Sequence, residues 1–364
     1  MRRIRVVSSS GVYSIHFGEG ALAKAKALLA QLHDSTGTFV LSSPRVWRHW
    51  GRAVTKVIPR RAILFDDAES AKRLATVEGI ARQLVRAGAD RRAIVVAIGG
   101  GVVGDVAGFA AATYLRGVRL VHIPTTVVAQ VDSAVGGKTG VDLPEGKNLV
   151  GAFYPPRLVI ADPAFLRTLP HREFRSGLYE VIKYGVIADS KLFEFLEKRM
   201  DAVLRRDPKA LAYIISRSIA IKARVVSEDE RESGLRQILN FGHTLGHALE
   251  TATNYRRFLH GEAIGWGMIA ATLLAVAKGG LSDREATRII RLIATVGPLP
   301  PIGKMGAAQL RPILAADKKT RGGRVRWVLP RRIGTTRWGI DVPWLVVARA
   351  FAETPRVAAL AELR

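Results

Sequence analysis

Through about residue 170 the chain alternates short β-branched runs with amphipathic ones. "RIRVVS", "VYSIHF", "TFVLS", "RAILFD", "AIVVAIGG", "RLVHIP" and "RLVIAD" have the length and composition of strands. Between them, segments such as "EGALAKAKALLAQL" and "ESAKRLATVEGIARQLVRAG" space their apolar residues as helices do. This alternation predicts βαβ units around a largely parallel sheet. Beyond "LRTLPHREF" strands nearly vanish. Helical patterns follow in "REFRSGLYEVIKYGVIA", "DSKLFEFLEKRM", "PKALAYIISRSIAIKARVVS", "LRQILNFGHTLGHALETAT" and "GEAIGWGMIAATLLAVAKG", broken by one late hairpin pattern, "RVRWVLPRRIGTTRWGI". The expectation is an α/β domain over 1–170 and an all-α domain over 171–364, packed closely and binding a ligand between them.

Composition narrows the function. At 364 residues and 48% hydrophobic, the chain can build two cores. The formal charge of +25 suggests an anionic partner, but it is mostly arginine scattered along the chain and aromatics are only 7%. An enzyme acting on an anionic small molecule is therefore expected, rather than a nucleic-acid or membrane binder. With no cysteine, disulfides, thiolate nucleophiles and sulfur-held zinc are excluded. The N-terminus carries no apolar run of secretory type, so a cytoplasmic location is expected. The apolar stretch 264–277 reads as a buried core helix.

Three motifs carry candidate chemistry. "AIVVAIGGGVVGD" runs from a strand into Gly99, Gly100, Gly101 and Gly104 and fits a pyrophosphate turn at a helix N-terminus, although no acidic residue follows about twenty positions on. Tight strand-to-helix packing would produce the same glycines, and Asp105 also suits an ordinary helix start. "TTVVAQVDSAVGGKTGVDLPEGKN" places Thr125, Thr126, Asp132, Lys138, Lys147 and Asn148 in a glycine-rich setting where lysines and backbone amides could grip a phosphate. A solvated loop is the plainer alternative.

In "NFGHTLGHALE", His243 and His247 lie four apart on one helical face, and His260 follows in "LHGE". This is not the HExxH pattern. Core histidines, a proton-transfer pair and a metal site with a carboxylate such as Glu180 all remain open at this point. Lys222 and Arg236 read as cleft-lining cations or as solvated faces. If the helix is continuous, Arg236, Asn240 and the two histidines share one side of it.

Together the motifs resemble the dehydroquinate synthase family of the sugar-phosphate cyclase superfamily. The resemblance covers nearly the whole chain through "DDAESAK", "GGGVVGD", "IPTTVVAQVDSAVGGKTGVDLPEGKNLVGAF", "YEVIKYG", "SEDERE", "NFGHTLGHALE", "LHGEAIGWGM" and "ADKKTRGGRVRWVLP". It implies an NAD-binding Rossmann-like domain over 1–170, a helical metal- and substrate-binding domain over 171–364, NAD kept through turnover, one divalent zinc or cobalt ion, and a homodimer. It implies metal ligation by Glu180, His243 and His260, proton handling by His247 with Glu232, and Lys183 and Asp132 as further catalytic residues.

NAD contacts carried over from the family are Asp67, Glu69 and Lys72; Gly100, Gly101, Val102, Val103, Gly104 and Asp105; Thr125 and Thr126; Lys138 and Lys147; and Phe165, Leu166, Arg167 and Thr168. Substrate contacts are Asp132, Lys138, Lys147, Asn148, Lys183, Lys222, Arg236, Asn240, Lys319 of the Lys318–Lys319 pair, and Arg116, which reaches toward a neighbouring subunit. The implied reaction converts 3-deoxy-D-arabino-heptulosonate 7-phosphate to 3-dehydroquinate and phosphate by transient oxidation, elimination, re-reduction and aldol closure.

One departure stands out. The family usually carries an aspartate after the second Rossmann strand to hold the adenine ribose, and "FVLSSPRVW" offers Ser42 and Ser43 there. The rival readings are another sugar-phosphate cyclase or a metal- and NAD-dependent polyol dehydrogenase. A dehydrogenase needs no phosphate-binding lysines, which "VDSAVGGKTG" supplies.

Overall fold

The computed structural model describes residues 1–9, 11–316 and 325–362. The chain forms two compact units, Met1–Pro170 with Leu211–Glu230, and His171–Ala210 with Arg231–Arg364.

In the first unit the strands are β1 (Arg2–Ser8), β2 (Gly11–Phe17), β3 (Thr38–Ser42), β4 (Ala62–Leu64), β5 (Ile94–Gly99), β6 (Arg119–Pro124), β7 (Lys138–Leu143), β8 (Gly146–Phe153) and β9 (Leu158–Ala161). Helices α1 (Ala25–Ala30), α2 (Pro44–Val57), α3 (Leu74–Arg86) and α4 (Gly101–Thr113) intervene. Seven strands form one sheet in the order β1-β2-β9-β6-β5-β3-β4. All its pairings are parallel except the β1–β2 hairpin.

β5 explains why the sheet is covered on both faces. Every residue from Ile94 to Gly99 is buried. Ile94, Val96 and Ile98 pack in one apolar cluster with Leu28, Val54 and Phe165, while Val95 and Ala97 join a second with Ile80, Leu84, Val106 and Ala107. A period-two strand that is apolar at every position is the signature of a doubly covered parallel sheet.

The glycine-rich stretch read as a phosphate loop is more ordered than expected. Ala129–Ser133 forms a π-helical turn, and β7 and β8 pair as an antiparallel hairpin. Glycine makes that hairpin possible, because a Cβ on Gly151 would collide with the Thr139 carbonyl oxygen and one on Gly140 would lie 2.7 Å from the Val150 oxygen.

The second unit holds α5 (His171–Ala188) and α6 (Ser190–Leu204). The next helix, α7 (Pro208–Glu228), belongs over most of its length to the first unit. The sequence reading had assigned 211–230 to the second domain. Polar ties account for the difference: Lys222 pairs with Asp132 at 2.7 Å, Ser227 Oγ accepts from the Val7 N–H at 3.0 Å, and Glu230 accepts from the Ser9 N–H at 2.7 Å.

α8 (His243–Ala252), α9 (His260–Ala277), α10 (Asp283–Thr295), α11 (Ala307–Ala316), the hairpin β10 (Arg326–Arg332) with β11 (Thr335–Asp341), and α12 (Trp344–Glu362) complete the second unit. α9 is apolar enough in composition to cross a membrane, but 78% of that stretch is buried inside the protein. It is the core helix around which α5, α8, α10 and α12 pack.

Candidate functional site

Glycines bring three helices of the second unit within reach of one another. Gly242 has φ +80° and breaks the chain before α8. A Cβ on Gly267 of α9 would overlap the Gly242 carbonyl, and one on Gly261 would overlap the Ser176 carbonyl of α5. With only hydrogens there, α8 and α9 lie backbone to backbone, and the start of α9 rests on α5 one turn before Glu180. The N-terminus of α9 is fixed as well: Glu262 accepts from the Leu259 N–H at 2.7 Å and is gripped by Arg172 at 2.7 and 2.8 Å.

The outcome is a converging set of polar side chains. Glu180 is fully buried. Its Oε1 lies 3.5 Å from Nε2 of both His243 and His260, and its Oε2 pairs with Lys183, which is 1% exposed. The other ring nitrogen of each histidine is anchored, Nδ1 of His243 3.2 Å from the Phe241 carbonyl and Nδ1 of His260 3.3 Å from Glu250 Oε2. The His247 ring sits 5.2 Å from that of His243 and 5.8 Å from that of His260.

Burial opposes charge on His260, but the Glu250 and Glu180 carboxylates outweigh it and raise its pKa to about 10. A site that holds a proton so firmly also favours a cation in its place. Two imidazole nitrogens turned toward one carboxylate oxygen, with their far nitrogens tied down, are a donor set that fits zinc or cobalt. Nitrogens of His243, His247 and His260 also lie within 4.8 Å of one another, so geometry alone leaves Glu180 and His247 as alternative third ligands.

One expectation is corrected. The helix read through "LRQILNFGHTLGH" is not continuous: Leu235–Asn240 is a 3-10 segment, and α8 begins only after the left-handed Gly242. Arg236 and Asn240 therefore do not share a helical face with the histidines. Arg236 is buried at 2% exposure, and the Asn240 side-chain amide donates to Glu232, whose own backbone has φ +63°. Sequence reasoning missed Glu250 as a site residue. Its spacing was a usable signal, since seven residues after His243 is two turns along the same face.

The first unit gathers most of the proposed cofactor contacts. Gly100 is the N-cap of α4, where a Cβ would make a tight contact with the Thr126 side chain, 3.0 Å from its Cγ2. Thr125 is buried, and its N–H donates to the Gly99 carbonyl at 2.9 Å. Gly101 and Gly104 lie on α4 with Val102, while Val103 turns fully into the core.

Lys72, 4% exposed, donates to Asp105 at 2.6 Å and to Asn148. Burial works against its ammonium, but Asp105, Glu69 and Asp142 outweigh that and raise its pKa. Lys147 pairs with Glu69 at 2.7 Å and the Asp142 N–H donates to the Lys72 carbonyl at 2.8 Å, so the 66–72 segment and the β7–β8 hairpin are joined at three points. Lys222 is held by both the carbonyl and the carboxylate of Asp132, each at 2.7 Å. Lys138 and Arg116 are exposed.

Of the run 165–168, Phe165 and Leu166 are core residues, Arg167 pairs with Glu19, and Thr168 accepts from the Trp50 indole at 2.7 Å. Arg45, His49, Trp50, Gly100, Thr126 and Thr168 line one small cavity. Lys319, and Lys318 beside it, lie outside the described residues.

The serines expected at the ribose are not available to it. Ser42 and Ser43 are both fully buried. Ser42 Oγ donates to the Ile98 carbonyl at 2.8 Å, while Ser43 Oγ accepts from the Val46 N–H at 3.3 Å and donates to Asp67 at 2.9 Å. A serine at this strand end caps α2 and leaves no hydroxyl over. The acidic group beside it is Asp67, steadied by Ser43 and by Arg45 at 3.3 Å.

Residues 62–176 match the 3-dehydroquinate synthase N-terminal family profile, and residues 177–320 the C-terminal one. The chain is 46% identical over 359 residues to a 3-dehydroquinate synthase from Koribacter versatilis (strain Ellin345), covering 97% of this chain and 98% of that protein. Among solved structures it resembles 2-deoxy-scyllo-inosose synthase complexed with carbaglucose-6-phosphate, NAD+ and Co2+, at TM-score 0.86 and 28% identity over 97% of this chain and 99% of the other. It also resembles 2-epi-5-epi-valiolone synthase from Streptomyces hygroscopicus subsp. jinggangensis 5008 with NAD+ and Zn2+, at TM-score 0.86 and 28% identity over 98% and 99%.

Proposed function

The chain belongs to the 3-dehydroquinate synthase family, and from that premise we propose how its own residues divide the work. It is a phosphate-eliminating cyclase of the shikimate pathway, converting 3-deoxy-D-arabino-heptulosonate 7-phosphate to 3-dehydroquinate with NAD and one divalent metal. The observation that carries the site assignment is the approach of two imidazole Nε2 atoms to the buried Glu180 carboxylate. The valiolone and inosose synthases share the fold at 28% identity, against 46% for the dehydroquinate synthase.

Glu180, His243 and His260 would hold the metal, and His247 would remain unligated. When bound, the ion supplies Lewis acidity at the substrate hydroxyls while NAD accepts and returns a hydride. Lys183 balances the charge of the second Glu180 oxygen, a buried pairing that leaves Oε1 to face the two imidazoles. His247, on α8 one turn after His243, and the Glu232 carboxylate, oriented by Asn240, hold and pass the protons. Arg236 and Asn240 would contact the substrate.

The first unit, 1–170 with 211–230, would bind NAD through Asp67, Glu69, Lys72, the 100–105 turn, Thr125, Thr126 and the 165–168 run. The second unit would hold the metal. Lys138, Lys147, Asn148 and the Lys222–Asp132 pair supply the cationic surroundings that a departing phosphate requires, since charge grows on it as the bond breaks. Lys319 is assigned to the substrate by motif alone. The +25 charge is read as serving this anionic substrate, with no nucleic-acid or membrane partner.

A homodimer is part of the same reading. Arg116 would serve the neighbouring site, and it is exposed on a turn where both Leu115 and Arg116 have positive φ, a backbone strain typical of functional positions. Sedimentation velocity checks the dimer. A cytoplasmic location completes the reading, because NAD and phosphorylated sugar acids are kept inside cells, and cell fractionation checks it.

The decisive experiment follows phosphate release and NADH absorbance together on the heptulosonate phosphate. One phosphate per dehydroquinate with catalytic NAD and no net NADH is expected, and Lys138→Ala should lose roughly 10²-fold or more in kcat/KM. NADH accumulating in step with substrate loss, without phosphate release, would instead identify a polyol dehydrogenase.

A further inference from the structure

Glu250 has no part in the ligand set proposed above, yet it is buried at 3% exposure near the C-terminal end of α8 and its Oε2 lies 3.3 Å from His260 Nδ1. The two histidines that approach Glu180 are anchored differently. His243 Nδ1 meets a backbone carbonyl, a neutral acceptor supplied by the chain two residues earlier. His260 Nδ1 meets a full negative charge supplied by another helix. His260 also needs the firmer hold, because its side chain is 36% exposed where that of His243 is 11% exposed.

We propose that Glu250 is a positioning residue for the metal. Its carboxylate accepts a hydrogen bond from the Nδ1–H of His260, fixes the ring with Nε2 toward Glu180, and makes that nitrogen a stronger donor to a divalent cation. The inference rests on the metal-site reading above.

Three structural features support the role. A carboxylate buried this deeply needs a charged or strongly polar partner, and the His260 imidazole is one such partner, 3.3 Å away. The backbone of His260 is fixed independently by Glu262 and Arg172, so what remains for Glu250 to set is the rotation and tautomer of the ring. Finally, α8 supplies His243 at its first turn and Glu250 in its last turns, so one rigid helix positions both histidines, one directly and the other through Glu250.

The test uses the full-length protein, stripped of metal and compared with Glu250→Gln, which keeps shape and an acceptor oxygen but removes the charge. Zinc affinity is read by competition with a chromophoric chelator, the cobalt-loaded protein by its visible absorption bands, and the His260 tautomer by 15N histidine spectra of the zinc-loaded protein. Glu250→Gln should melt within a few degrees of the parent when metal-free, bind zinc roughly 10- to 100-fold more weakly, and shift the cobalt bands.

Zinc affinity within twofold of the parent, or an unchanged cobalt spectrum, would overturn the proposal. So would a metal-free variant that melts far below the parent, since Glu250 would then be a residue of folding rather than of metal positioning. His243→Ala separates the two readings. If it keeps stoichiometric zinc, the metal-site assignment fails first, whereas if it loses zinc while Glu250→Gln does not, only the role of Glu250 falls.

Discussion

Gly267 and Gly242 meet backbone to backbone, so closely that a Cβ on Gly267 would overlap the Gly242 carbonyl oxygen and lie 2.9 Å from the Gly246 nitrogen. That contact sets the spacing of α8 and α9, and with it the distance between His243 and His260. Gly267→Ala should therefore destabilise the protein by about 3 kcal/mol, because the obstruction is backbone and has no rotamer to escape into. Metal affinity should fall with it. Gly79→Ala is the control: it lies in α3 with nothing within 4 Å of its Cβ position, and should stabilise by about 0.5–1 kcal/mol. Urea unfolding of both variants decides, and equal effects would show that the close approach carries no strain.

The i, i+4 histidines should separate on substitution. His243→Ala should abolish stoichiometric zinc. His247→Ala should keep zinc within roughly threefold and lose about 10²- to 10⁴-fold in kcat, as expected for removal of a proton-transfer group. Equal zinc loss in both would select the three-histidine set and release Glu180 from the metal.

Much of this was legible in the sequence, and the failures have physical causes. β5, β6 and β9 were readable because a doubly covered parallel sheet requires continuous apolar runs. α9 was readable because a helix apolar on every side must be a core. The β7–β8 hairpin was not, since its glycines answer to close backbone approach and mimic a loop. α2 was hidden by "PRVWRHWGR", whose valine and tryptophans belong to one apolar stripe on a helix that looks merely basic when its arginines are read linearly. The break at Gly242 was missed because periodicity persists through "LRQILNFGHTLGH" even though the backbone turns left-handed there. Residue identity pointed to Glu180 and the histidines, while Glu250 gains its meaning only from a partner 10 positions away, and the tie of Lys72 to Asn148, 76 positions away, is visible only in the fold.

Ser43 and Asp67 predict how the chain manages without the usual ribose aspartate. Ser43→Ala removes a helix cap worth about 1 kcal/mol, and also the hydroxyl that steadies Asp67. NAD should then bind roughly fivefold more weakly, the loss of about one neutral hydrogen bond to a carboxylate's position. Ser42→Ala should alter stability alone, because its hydroxyl is spent on the Ile98 carbonyl. Calorimetric titration with NAD checks both. If Ser43→Ala and Asp67→Asn each leave NAD affinity unchanged, Asp67 is not a cofactor residue.

His122 gives a pH dependence of definite sign. It lies on β6, in register with Ala97 and Val159, with its Cε1 3.6 Å from where a Gly104 Cβ would be. Burial alone lowers its pKa from 6.5 to about 4. The unfolded chain therefore binds the proton more readily than the folded one, and falling pH favours unfolding. The loss begins as pH drops through 6.5, grows to about 3 kcal/mol near pH 4, and is constant below that. His122→Gln cannot take up the proton, so it should be less stable than the parent at pH 7 if the ring packs well, yet lose about 2–3 kcal/mol less between pH 7 and 4.5. Urea unfolding at pH 7, 5.5 and 4.5 measures the difference between the two proteins, in which the other titrating groups cancel. Parallel stability curves across that range would mean that His122 is hydrated or partnered enough to titrate normally, and the buried neutral imidazole would have to be abandoned.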